Sequence, residues 1–259
     1  MFTIKSKIPS WLGRMPFIFL IDKFLALDFA NDLLHDLSNF GNSKEATDHL
    51  LKQSNLVNRI RVEGLDQIPT GCPLLVVSNH PRGIGDGLVL LFCLSRIRPD
   101  LKFVVNELLN EIPFFNKVFI SRANDGNEKN FLTVRRLLSH LREDGCICLF
   151  PAGTVEHFDW QSLKIRESPW KMNFRKMAQM TGAVVVNAKI SSRNSFVFHF
   201  LASFNRSSRT FLLIREFKAF MRQKNQRIDV TFNSFNEKNH GTPRCCLLYT
   251  SPSPRDGLL

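Results

Sequence analysis

Tyrosine is almost absent from this chain, with one residue in 259 against 24 phenylalanines and 3 tryptophans. That residue, Tyr249, stands in a C-terminal run foreign to the rest of the chain, so no phenol is expected in the chemistry. The six cysteines, Cys72, Cys93, Cys146, Cys148, Cys245 and Cys246, include no Cys-x-x-Cys pair and no histidine at ligand spacing, which argues against a metal site or a redox couple. Cys146 and Cys148 flank Ile147 in a strand-like run and read as buried, reduced thiols, which implies a reducing compartment. Long apolar runs are missing too. Met15–Ile21 is halted by Asp22 and Lys23, far short of the roughly 20 residues that cross a bilayer, and no secretory signal is evident. Acidic side chains are scarce, 23 against 35 Lys and Arg, leaving a net charge of +12. That excess predicts an anionic partner: nucleic acid, a membrane surface, or a phosphorylated or thioester-carrier substrate. What is present, 44% hydrophobic and 22% charged residues, excludes a disordered, collagen-like or disulfide-stapled chain. The length suits one large domain or two small ones with a substantial core.

From Trp11 to Leu37 apolar residues recur at helical spacing between Asp22, Lys23, Asp28, Asp32 and Asp36. This is the pattern of a core helix pair or of an interfacial amphipathic segment. The acidic polar face favours the core, while Lys5, Lys7 and Arg14 near the start keep the interface open. Beyond a polar stretch, strands are predicted at Asn58–Val62, Leu74–Ser78, Leu101–Val105, Lys117–Ser121, Cys146–Phe150, Ala183–Ile190 and Arg227–Phe232. Helices are predicted at Asp86–Ile97, Lys129–Leu141, Trp170–Met180 and Thr210–Arg222. The alternation predicts an α/β fold, with a mixed, largely parallel central sheet flanked by helices. Met172, Met177 and Met180 are expected in the core, His157 and Asp159 at the surface, and His140 and His199 as partly buried structural residues.

The C-terminal run is foreign in character. Cys246–Asp256 resembles the translated adapter of a sequencing library and has no periodicity. Residues 246–259 are therefore read as an artefact that forms no part of the fold. Residues 1–50 then form an N-terminal helical segment, and 51–245 the main domain, cut short at its C-terminus.

Two stretches carry candidate chemistry. In Ser78-Asn79-His80-Pro81-Arg82-Gly83-Ile84-Gly85-Asp86-Gly87 a histidine follows a buried strand, and an aspartate opens the next helix. The carboxyl ends of strands in such sheets are where ligands bind. A neutral imidazole there can take a proton from an alcohol, and a carboxylate can fix its tautomer. Gly83 and Gly85 would let Asp86 reach His80; equally, Asp86 could serve only as a helix cap. In Leu149-Phe150-Pro151-Ala152-Gly153-Thr154 a tight turn follows another buried strand, and its backbone N–H groups could bind a phosphate or an oxyanion.

Together these residues resemble the glycerolipid acyltransferase family, marked by Asn-His-x-x-x-x-Asp and Phe-Pro-Glu-Gly-Thr. The closer resemblance is to a bacterial branch with ornithine-lipid acyltransferases and hemolysin-like proteins, which carries Asn-His-Pro-x-Gly-x-x-Asp-Gly, Phe-Pro-Ala-Gly and a later Arg-Asn-Ser. Here these are Asn79–Gly87, Phe150–Gly153 and Arg193-Asn194-Ser195. The resemblance covers about Leu51 to Phe232. It implies the glycerolipid acyltransferase fold and transfer of a fatty acyl group from a thioester to a hydroxyl of a lysolipid or glycerophosphate acceptor, of lysophosphatidate or lyso-ornithine-lipid type. His80 would be the general base and Asp86 would orient it. Asn79, Arg82, Arg122, Pro151, Ala152, Gly153, Thr154, Arg193 and Asn194 would line the substrate site. The donor would be acyl carrier protein or coenzyme A, with no metal or other cofactor, and the protein would sit peripherally on the cytoplasmic face of the membrane. No acyl-enzyme is needed, so the absence of a Gly-x-Ser-x-Gly elbow is no objection.

The chain departs from the common pattern. Five residues separate His80 from Asp86 rather than four, Ala152 replaces a glutamate, and Val155 stands where an arginine is frequent. Lys164, Arg166 or Arg82 could supply the lost cation. A non-catalytic, lipid-binding membrane-surface protein is the competing reading. Nucleic-acid binding has only the charge in its favour, since no helix-turn-helix or zinc finger accompanies it.

Overall fold

The computed structural model describes residues 23–40, 43–106, 118–122, 127–204, 206–223 and 225–235. The first half of the greasy N-terminal stretch and the suspected artefact, with Tyr249, Cys245 and Cys246, lie outside the described residues. In chain order the elements are α1 (Leu27–Ser38), α2 (Ser43–Ser54), β1 (Ile60–Glu63), β2 (Leu74–Ser78), α3 (Ile84–Leu94), β3 (Lys102–Asn106) and β4 (Phe119–Arg122). They continue with α4 (Asn127–Arg142), β5 (Cys146–Leu149), β6 (His157–Asp159), β7 (Lys164–Arg166), α5 (Asn173–Thr181), β8 (Val184–Ser191), α6 (Phe196–Phe204), α7 (Arg206–Arg222) and β9 (Ile228–Ser234).

Seven strands form one sheet in the order β1-β9-β8-β2-β5-β3-β4. Every neighbouring pair is parallel except β8 with β9. The mixed, largely parallel sheet read from the sequence is the one observed. Strand β2 lies at its centre, buried along its whole length. Side chains alternate across a strand, so a strand covered on both faces must be apolar at every position. Leu74 and Val76 accordingly pack on one face with Leu88, Leu90 and Leu94 of α3 and Phe217 and Phe220 of α7. Leu75 and Val77 pack on the other with Leu137 and Leu141 of α4 and Phe174 and Ala178 of α5. Cys146 and Cys148 share the first face as buried thiols, and burial pushes the Cys146 thiol up to about 12. From α1, Leu27, Ala30 and Leu37 are buried, so the described half of the N-terminal stretch belongs to the core.

The sequence-predicted elements recur with shifted ends, and four elements were not expected. Helix α2 comes from the stretch read only as polar. The β6–β7 hairpin and α6 fall between expected elements. Met172 and Met180 correct the core expectation, being 36% and 51% exposed. Helix α5 turns Phe174 and Ala178 inward, four residues apart, with Met177 beside them, and this phase leaves Met180 outside.

Candidate active site

Strands β2 and β5 are parallel neighbours, with Val77 opposite Leu149. The residues that follow each strand therefore emerge side by side at the carboxyl edge, which brings His80 and Phe150 together. Their rings stack, with centroids 3.8 Å apart and planes inclined by 20°. The His80 side chain is 18% exposed.

Behind the imidazole, His80 Nδ1 lies 3.1 Å from Asp86 Oδ2. Asp86 is fully buried, and the same oxygen accepts the backbone N–H groups of Arg82 (2.7 Å) and Gly83 (2.9 Å). Asp86 is thus both partner of His80 and cap of α3; the two readings of its sequence position coexist. Gly83 makes the geometry possible, with φ +71°, a conformation that L side chains rarely adopt. A Cβ there would lie 2.5 Å from Leu213 Cδ2. With Nδ1 donating its proton to Asp86, Nε2 keeps its lone pair, the tautomer that a base requires.

Two carboxylates that the sequence did not single out complete the surroundings. Glu167 Oε1 accepts the His80 backbone N–H at 2.7 Å, and Oε2 accepts Trp170 Nε1 at 2.7 Å. Burial pushes the Glu167 carboxyl up, although these hydrogen bonds pull the other way. Glu156 donates its backbone N–H to the His80 carbonyl at 3.1 Å, and burial together with the charges of Glu167 and Asp86 raises its carboxyl. The alternation of His157–Asp159 with Lys164–Arg166 across a turn was the available signal for the hairpin that delivers Glu167. Its partner, a backbone N–H 87 positions earlier, carries no sequence signal.

The other sequence-predicted residues divide by what their polar atoms touch. Asn79 uses both ends of its amide on Ile190 of β8, donating at 2.9 Å and accepting at 2.8 Å. Asn194 donates to the Pro81 carbonyl. Arg82 is buried, its Nε donating to the Arg193 carbonyl and an Nη to Gln223, and its guanidinium lies over Phe220. These residues brace the His80 loop. Pro151 and Ala152 are buried, and the Gly153 N–H closes the turn on the Phe150 carbonyl at 2.9 Å. Thr154 Oγ1 pairs with Ser168, and the Arg193 side chain is exposed. Arg122 ends β4 at the sheet's far edge, with β3 and β5 between it and β2; its side chain lies outside the described residues. Of the alternative cations, Lys164 is exposed and Arg166 pairs with Asp159 on the hairpin.

A partly exposed imidazole, backed by a buried carboxylate at the carboxyl edge of a parallel sheet, fits base-assisted attack by a hydroxyl. A family model described as acyltransferase matches residues 59–191, from just before β1 to the end of β8. The chain belongs to the acyltransferase family. The matched span takes in His80, Asp86 and the turn after β5, and stops just before the third motif, Arg193-Asn194-Ser195. Two lyso-glycine lipid O-acyltransferases are similar to the chain in sequence. That of Phocaeicola vulgatus is 27% identical over 146 residues, covering 56% of this chain and 51% of its own length. That of Bacteroides thetaiotaomicron is 28% identical over 147 residues, covering 56% and 53%. This acyltransferase chain spans about half the length of the curated relatives it matches. The crystal structure of the 1-acyl-sn-glycerophosphate acyltransferase PlsC from Thermotoga maritima has a TM-score of 0.46 and 16% identity, with 83% of each chain covered.

Proposed function

We propose that the chain is an O-acyltransferase that moves a fatty acyl group from a thioester to the hydroxyl of a lysolipid. The observation that carries this reading is the 3.1 Å contact of His80 Nδ1 with Asp86 Oδ2, on an imidazole whose other nitrogen is available as a base. His80 Nε2 takes the hydroxyl proton as the oxygen attacks the thioester carbonyl, and a carbon–oxygen bond forms. The tetrahedral intermediate then collapses, the carbon–sulfur bond breaks, and the leaving thiolate receives the proton from the imidazolium. Base assistance of this kind contributes about a hundred- to ten-thousand-fold.

The names of the two similar proteins support a lysolipid with an amino-acid headgroup as acceptor; lyso-ornithine lipid belongs to the same chemical class. The loss of the glutamate at Ala152 supports that choice over lysophosphatidate. The net charge of +12 suits acyl carrier protein or coenzyme A as donor, and a peripheral position on the cytoplasmic face of a membrane. Among the described residues no helix is long and apolar enough to cross a membrane.

The test incubates the purified chain with labelled acyl carrier protein and acyl-coenzyme A donors against lyso-glycine, lyso-ornithine and lysophosphatidate acceptors. Transfer to the aminoacyl lysolipids is expected, with a loss of about a hundred-fold or more in His80→Ala. A folded chain that acylates no acceptor overturns the reading. Full biological activity in His80→Ala would favour the lipid-binding alternative.

A further inference from the structure

Helix α6, Phe-Val-Phe-His-Phe-Leu-Ala-Ser-Phe, carries no Asp, Glu, Lys or Arg. One face is buried: Phe198 and Ala202 pack with Val155 and Leu212. The other stands in solvent. Phe196 is 72% exposed and Phe204 65%, with Phe200 between them. Their rings form a ladder, with centroids 6.5 Å apart from Phe196 to Phe200 and 5.1 Å from Phe200 to Phe204. Trp160, from the β6–β7 hairpin, extends the ladder, 5.9 Å from Phe200 and 5.6 Å from Phe204. Its indole N–H donates to Ser203 Oγ, and the hairpin turn beyond it raises Leu163, 70% exposed. Single exposed apolar side chains are ordinary on a protein surface; a contiguous aromatic face marks an interaction site.

We propose that this face is a docking surface for an anionic lipid bilayer. The sequence that flanks it points to that occupant. From Ser191 to Arg209 the chain holds three arginines, Arg193, Arg206 and Arg209, and no Asp or Glu. The hairpin adds Lys164, exposed beside Leu163. A charge-free aromatic helix with cations at its flanks is the composition that seats in the headgroup boundary of an acidic membrane. An acidic carrier protein would instead be recognised by cations spread across the contact. The face is also tied to the candidate site. The buried side of α6 packs on Val155, whose neighbour Glu156 holds the His80 carbonyl through its N–H. Docking here brings the His80 loop close to the lipid phase. Bilayer docking rests on the peripheral membrane position proposed for the chain and not on acyl transfer, since binding is measured without turnover.

The full chain is sedimented with vesicles of phosphatidylcholine alone and of phosphatidylcholine with phosphatidylglycerol, at low and high salt. Binding is expected to need phosphatidylglycerol and to weaken with salt. The double variant Phe196→Ser/Phe204→Ser should lower the partition coefficient about tenfold or more, and Leu163→Ser in the same direction by less, with the melting temperature unchanged. His80→Ala should bind like the parent even if it transfers no acyl group. The proposal is overturned if the parent binds no anionic vesicles, or if the variants bind as the parent does. It is equally overturned if the substitutions abolish self-association or capture of an acidic carrier protein and leave vesicle binding intact. Should the double variant fail to fold, Leu163→Ser and Phe196→Ser are read singly, and unchanged binding in both overturns it.

Discussion

The His80 ring lies against the Phe150 ring, 3.8 Å between centroids, because the strands that deliver them are parallel neighbours in register. The stack covers one face of the imidazole and restricts its rotation, while Asp86 fixes its Nδ1 edge. Phe150→Ala should lower kcat about tenfold through a looser base, with a smaller change in KM. Steady-state kinetics against a lysolipid panel check this, and an unchanged kcat would show that Asp86 alone orients the ring.

Glu167 acts on the same histidine through the backbone. Its carboxylate joins the His80 N–H to the Trp170 indole N–H, so removing it strands two donors. Glu167→Ala should reduce kcat by about ten- to a hundred-fold, whereas Glu167→Gln, which retains an amide oxygen for the His80 N–H, should recover most of the loss. Comparable losses in both variants would mean that the charge of Glu167 matters beyond its hydrogen bonds.

Gly83→Ala combines an unfavourable φ with a clash against Leu213. The expected cost is about 1–3 kcal/mol of stability, read from denaturant unfolding. Activity should fall further than stability predicts, because Gly83 also supplies an N–H to Asp86.

His199 gives the fold a sensitivity to acid. It is 1% exposed, neither ring nitrogen has a partner of hydrogen-bonding geometry among the described residues, and burial pushes its protonation below the ordinary histidine range. The nearby Glu156 and Asn194 carbonyls and the Glu216 carboxylate only partly oppose that effect. A depressed pKa in the folded state means that the unfolded chain takes up the proton first. The stability contributed by neutral His199 is therefore complete above the unfolded value of about 6.5, and is lost as pH falls toward the folded value. Unfolding free energy should decline below that point by at most about 1.4 kcal/mol per pH unit. His199→Leu should flatten this part of the curve; an unaltered slope would assign it to other groups.

The parts legible in the sequence are those where a local pattern and the tertiary demand coincide. Leu74–Ser78 and Cys146–Phe150 are apolar at every position because helices cover both faces of the central strands, and the loops after them carry the motifs. Gly83 and Asp86 were readable because a turn that folds back onto a preceding residue needs both. Helix α6 was not, since its aromatics fall on the buried and the exposed side alike and blur the helical period. Nor were the roles of Asn79 and Asn194 legible. Both asparagines read as substrate contacts from their motifs, and only the three-dimensional neighbours show the Asn79 amide bonded at both ends to Ile190 of β8 and the Asn194 amide nitrogen bonded to the Pro81 carbonyl. Met180 follows the same logic, its place set by which turn of α5 meets the sheet.

The position of β9 has a consequence for how the chain is made. This strand, the last of those described, is inserted between β1, the first, and β8. During synthesis β1 leaves the ribosome long before β9, its neighbour among the described strands, which is complete only once Ser234 has emerged. Over that interval the nascent chain holds the open edges of β1 and β8, the kind of surface on which unrelated strands assemble. The sheet is completed through a contact between the parts of it most distant in sequence, the kind of long-range pairing whose loop-closure entropy slows folding.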